Sequence, residues 1–100
     1  MTGIELITKE RDRQITVEGF DPEHDRCHTD NELALAAACY AVNGIQGVSV
    51  YEYGDSDAFP FVEEHDKRRK HGRLRSLVIA GALLCAEIDR ILLDNPEDAA

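Results

Sequence analysis

One hundred residues amount to one domain, at the small end of what buries its own core, and 43% hydrophobic with 31% charged residues argues for a folded chain over a disordered one. Twenty acidic against eleven basic residues leave a formal charge of −9, which opposes non-specific attraction to nucleic acid or to an anionic membrane. The charge is segregated, however: residues 67–75 read KRRKHGRLR, hold six of the eleven basic residues and no acid, and make one basic stripe on an acidic body.

The opening stretch MTGIELITKERDR carries charges where a signal peptide needs an apolar core, and the longest uncharged run of the C-terminal half, residues 76–86, is too short to span a bilayer. The chain therefore reads as cytoplasmic. Cys27, Cys39 and Cys85 form an odd set with no C-x-x-C pair, which fits reduced thiols serving as core filler.

In chain order, Thr2 with Glu5 forms a capping box, and Ile4, Leu6, Ile7, Ile15 and Val17 give a helix-period stripe that ends near Gly19, so the first helix is expected over about residues 3–18. Asp21-Pro22 restarts the chain with a cap and a residue suited to a first helical turn, making PEHDRCH a candidate single turn. Thr29 and Glu32 read as a second capping box before LALAAACYAV, with Asn43-Gly44 as the stop, which places a second helix at about residues 30–43. Residues 44–63 change character. Val48, Val50 and Tyr51 or Tyr53 suit a short strand or hairpin, but the stretch reads better as a long ordered loop docked through Tyr51, Tyr53, Phe59 and Phe61. A third helix, about residues 73–92, follows from Leu74, Leu77, Val78, Gly81, Leu84, Cys85, Ile88, Ile91 and Leu92, and Asn95-Pro96 stops it.

These elements add up to an all-α fold, a compact bundle of three main helices over residues 1–95 with a frayed tail at residues 96–100. The second helix is apolar or small on every side, and Ile79 and Leu83 extend the apolar arc of the third. Three helices of this length cannot surround two of their own number. The extra face is expected to meet either the 44–61 loop or a second copy of the chain, with Ala34, Ala37, Ala38 and Ala41 permitting close approach in a homodimer.

Several side chains could carry chemistry. His24, His28 and Glu32 are spaced i, i+4, i+8 with Asp25 beside the first, a donor pattern for a divalent metal if the helix is continuous and a set of helix caps if it is not. Glu87 and Asp89 flank the apolar arc of the third helix. With Glu32 they are candidates for holding Mg²⁺ against a polyphosphate, or for ordinary helix pairs such as Glu87 with Arg90. Glu10, Arg11, Arg13 and Gln14 fill one turn with long polar groups, which reads as a solvated face, with ligand binding through Arg11 as the alternative. Arg73 and Arg75 stand at a helix start, where cations oppose the macrodipole, so either a bound phosphate or the protein's own acids must resolve the conflict.

The string ERDRQITVEGFDPEHDRCHTDNELALAAACYAV, followed by FPF and then RSLVIAGALLCAEIDRIL, resembles a family of short phage and prophage proteins of uncharacterised function over roughly residues 4–92. Its opening blocks also resemble the phage members of the all-α, MazG-like nucleotide pyrophosphohydrolases, Mg²⁺ enzymes that cleave nucleoside triphosphates between the α and β phosphates. This second resemblance implies that Glu32 begins the carboxylate helix and that Glu87 with Asp89 forms the later acidic pair. The pattern EE-x-x-E with E-x-x-D is not met: Asn31 precedes Glu32, Leu35 stands for the third Glu, and Arg90 for the Asp.

The expected function is therefore a phage-type accessory protein that binds a phosphate-bearing ligand, a nucleotide or nucleotide signal, and sequesters it in counter-defence. The expected ligand-binding residues are Arg11, Arg73 and Arg75, and the expected Mg²⁺ ligands are Glu32, Glu87, Asp89, His24 and His28. Two alternatives stand beside it: a Mg²⁺-dependent nucleoside triphosphate pyrophosphohydrolase, and an acidic inhibitor of a host defence protein.

Overall fold

A computed structural model describes residues 1–52, 56–61 and 65–99. In chain order it has α1 (Gly3–Thr16), the single turn α2 (Pro22–Asp25), α3 (Glu32–Val42), β1 (Tyr51–Glu52), β2 (Ser56–Asp57) and α4 (Arg73–Asp94), with 3₁₀ turns at Arg68–Lys70 and Pro96–Ala99. The protein is all-α, with α1, α3 and α4 as its main helices. The expected first, second and third helices correspond to α1, α3 and α4. No helix among the described residues is long and apolar enough to cross a membrane.

Local signals explain most of the boundaries. Thr2 and Glu5 form the reciprocal capping box at the start of α1, and Asp21 Oδ1 accepts from the His24 N–H at the start of α2. Gly19 takes a left-handed φ of 73°, which lets the chain turn so that the Phe20 N–H donates to the Gln14 carbonyl. The second capping box does not form. Asn31, in the left-handed region at φ 65°, breaks the chain before α3, and the Glu32 carboxylate turns back to the Asp30 N–H and to His28. At the other end of α3, the Arg73 guanidinium donates to the carbonyls of Ala41 and Asn43, two groups a helix C-terminus leaves without partners.

α4 is the spine against which α1, α2 and α3 each pack. Small residues are buried on both helices, Ala36 and Ala37 on α3 and Ser76, Ala80, Ala82 and Ala86 on α4, and Ser76 meets Asn43 at the end of α3. Tyr40, Ile79 and Ala80 form the core cluster, with Ala41, Leu83 and Phe59 laid against it. Phe59 and the buried Ala58 come from the 44–61 segment, so the loop closes over the α3–α4 face as one of the two expected routes requires. Within that segment β1 and β2 pair antiparallel over two residues each, a minimal hairpin in place of a plain loop. Tyr53 lies outside the described residues. Pro96–Ala99, in the tail, is wound into a 3₁₀ turn.

α1 departs from its reading. Of its expected apolar stripe Leu6, Ile7 and Ile15 are half-buried, but Ile4 is 79% exposed and Val17 also exposed, whereas Glu10, Arg11 and Gln14 are buried. Of the polar turn expected to face solvent, Glu10, Arg11 and Gln14 face the interior, where each meets a charged or hydrogen-bonding partner that periodicity does not register, while Arg13 stays exposed. Cys39 is buried and Cys85 half-buried, but Cys27 is exposed and is not core filler.

Candidate functional site

The polar interior of α1 borders a cleft of about 760 Å³. Its walls carry Phe20, Tyr40, Phe59 and Phe61, and its polar lining brings Arg13, Lys67, Lys70 and Arg75 together with Glu10, Glu18 and Asp25. All four histidines of the chain, His24, His28, His65 and His71, also line it. On a body of net charge −9, the lining carries four cations against three carboxylates, a local balance that favours an anion.

Glu10 organises the basic side. It is 3% exposed and accepts from Arg13 Nε and Nη2, from Gln14 Nε2 at 3.1 Å, and from Arg75 on α4. Burial pushes the Glu10 carboxyl up, but the hydrogen bonds and charges of Arg13 and Arg75 outweigh it and hold the group below the usual carboxylate range. Arg75 therefore resolves its conflict with the α4 dipole through the protein's own acid. Burial, followed by the charges of Arg75 and Lys70, depresses the nearby His71 imidazole.

The basic stripe is fixed in place by α3. Asn43 Nδ2 donates to the carbonyls of Arg68 and His71 and to Ser76 Oγ, and the Tyr40 hydroxyl accepts from the Lys67 N–H at 3.0 Å. Arg68 holds both Asp66 and Asp57 while its guanidinium lies 4.7 Å from the centre of the Phe59 ring. Hydrogen bonding from Arg68 keeps both aspartates below the usual range. Phe59 in turn meets Tyr40 and Phe61 edge-on at 6.0 Å, so the aromatic wall and the cationic rim belong to one braced unit.

At the other end, His24 stacks on Phe20 at 5.0 Å and meets His28 at 6.0 Å, and His28 meets Phe61 edge-on at 5.3 Å. Asp25 is 2% exposed and lies 3.2 Å from His24 Nδ1. Behind it Arg11 donates to the Phe20 carbonyl and lies 3.8 Å from Asp25 and 3.6 Å from Asp89. The donor atoms of His24, Asp25 and His28 all lie within 4.8 Å of one another, and no other set of three such residues does so among the described residues.

The expected site residues thus separate. Arg75 lines the cleft, but Arg73 is committed to the end of α3, and Arg11 is a buried structural cation. Glu32, Glu87 and Asp89 are not gathered into one group: Glu32 is held by Asp30 and His28, Glu87 by Arg90, and Asp89 lies against Arg11. Arg75 stands twelve or more positions along α4 from Glu87 and Asp89, about 18 Å of helix axis, so this arginine and those carboxylates do not share a compact phosphate site. Sequence reasoning missed Arg13, Lys67, Lys70, His65 and His71 as cleft residues. The available signal was the basic stripe itself, of which Lys67, Lys70, His71 and Arg75 line the cleft.

No protein-family model, curated protein or solved structure matches the chain.

Proposed function

We propose that the protein binds a small phosphate-bearing ligand of nucleotide type in this cleft and holds it without turning it over. The observation that carries the reading is the juxtaposition of an aromatic wall, Phe59 and Phe61, with a rim of Lys67, Lys70 and Arg75 in a cleft whose volume lies within the range of small-ligand sites. A base or other planar group stacks on the phenyl rings, and the phosphates take charge-assisted bonds from the rim. Sequestration is favoured over hydrolysis because Glu32, Glu87 and Asp89, the carboxylates a Mg²⁺-assisted displacement would use, each sit against another group of the protein and are not gathered together. The resemblance to short phage proteins supports a counter-defence setting in the host cytoplasm, where nucleotide signals are the accessible ligands.

Calorimetry with nucleoside mono-, di- and triphosphates and cyclic dinucleotides, with and without Mg²⁺, tests this. Saturable binding by at least one member, weakened at least tenfold in Lys67→Ala/Lys70→Ala, supports it. No heat from any member refutes it, and Mg²⁺-dependent release of monophosphate would replace the binder with the pyrophosphohydrolase.

A homodimer belongs to the same proposal, on a different face from the one expected. α3 is largely covered within the chain, whereas Leu74, Leu77, Leu84, Ile88 and Ile91 stand exposed along α4 at heptad-like spacing. Light scattering coupled to size exclusion is expected to give twice the 11.2 kDa chain mass, and Leu84→Glu/Ile88→Glu to give the monomer.

A further inference from the structure

We infer that His24, Asp25 and His28 form a site for a borderline divalent transition ion of the Zn²⁺ type, opening into the cleft. Two imidazoles and one carboxylate converge within 4.8 Å on consecutive turns of a short segment. Such a nitrogen-rich set suits zinc or its neighbours and not Mg²⁺, which prefers oxygen donors. Asp25 supplies an independent sign. Its side chain is 3% exposed, and its Oδ2, which faces Arg11 Nη2 at 3.8 Å, is buried and makes no hydrogen bond. Arg11 does not cancel that carboxylate, because it is divided between Asp25 and Asp89.

The surroundings are those of a metal-bound histidine. His28 Nδ1 lies 3.3 Å from Glu32 Oε2, which leaves Nε2 for an ion and lets the carboxylate set the tautomer of the ring. Phe20 against His24 and Phe61 against His28 limit the rotation of both rings. Three protein ligands leave a coordination position open, and all three line the cleft. If the ligand reading above holds, that position is available to a phosphate oxygen; the metal site itself does not depend on it.

The test uses the full chain and metal alone. Competition against a chromophoric chelator is expected to show one Zn²⁺ per chain, undisturbed by millimolar Mg²⁺, and Co²⁺ is expected to give visible ligand-field bands. His24→Ala and His28→Ala should each weaken Zn²⁺ at least tenfold, and Glu32→Gln about tenfold or more through the orientation of His28. His65→Ala, His71→Ala and Cys27→Ser should leave the affinity unchanged. His24 is half-exposed, so its variant is expected to keep the fold, which circular dichroism of the same sample checks. The inference is overturned if the wild-type chain takes up no Zn²⁺, if His24→Ala binds as tightly as wild type, or if the affinity is lost in His65→Ala, His71→Ala or Cys27→Ser instead. No nucleotide is present, so failure here leaves the cleft reading standing, and failure of the nucleotide panel leaves this one.

Discussion

Arg11 shows how the interior of this small protein is specified by charge as well as by apolar contact. It is buried on α1, it ties the Phe20 carbonyl to the α1–α2 turn, and its charge is divided between Asp25 on α2 and Asp89 on α4. Removing one partner of a buried pair leaves the other desolvated, so Arg11→Ala is expected to cost about 3–5 kcal/mol in urea denaturation. Glu10→Gln should cost less, about 2 kcal/mol, because Arg13 and Arg75 are partly exposed and regain water. The depressed carboxyls of Glu10, Asp57 and Asp66 set the acid limit of stability. Each binds a proton more readily unfolded than folded, so its contribution is complete above the ordinary carboxylate pKa of about 4 and is lost as pH falls through the lower folded value. Thermal melts between pH 7 and pH 3 are expected to fall only below about pH 4.5 on this account, and Glu10→Gln should flatten the drop.

Among the elements, α4 carries the fold and its one close approach. A Cβ at Gly81 would meet the Ile7 side chain of α1 at 2.5 and 2.8 Å, so the bare glycine is what lets Ile7 lie against the spine. Gly81→Val adds a branched side chain at that contact and should destabilise by about 2 kcal/mol, measured by the same denaturation. Capping signals and apolar spacing made α1, α3 and α4 legible in the sequence to within about two residues, because those rules are local. The second capping box failed for a local reason too: Asn31 turns left-handed, and the Glu32 carboxylate takes the Asp30 N–H and His28 in place of the Thr29 backbone. The inward polar face of α1 was not legible, since it depends on Arg75 and Asp89, brought to α1 by α4 from more than sixty residues away. For the same reason the histidine and aspartate string was visible as a motif, while its union with Phe61 and the basic stripe in one cleft was not.

The whole molecule is an acidic body that gathers its histidines, much of its basic stripe and its aromatic wall at one cleft. That distribution gives anion binding a pH dependence with a definite sign. His71, depressed by burial and by Arg75 and Lys70, gains charge as pH falls and is returned toward its ordinary value by a bound anion. Proton uptake therefore accompanies binding, and affinity for a phosphate ligand should rise several-fold between about pH 8 and about pH 6 and fall with added salt. The most direct test of the cleft as a ligand site is a ¹⁵N–¹H correlation spectrum of the full chain titrated with the tightest nucleotide from the calorimetric panel. Saturable shifts are expected at Phe59, Phe61, Lys67, Lys70, His71 and Arg75, with the outer face of α4 around Leu84 and Ile88 unmoved. Saturable shifts confined to that outer face, or none at any ligand concentration, would contradict the account.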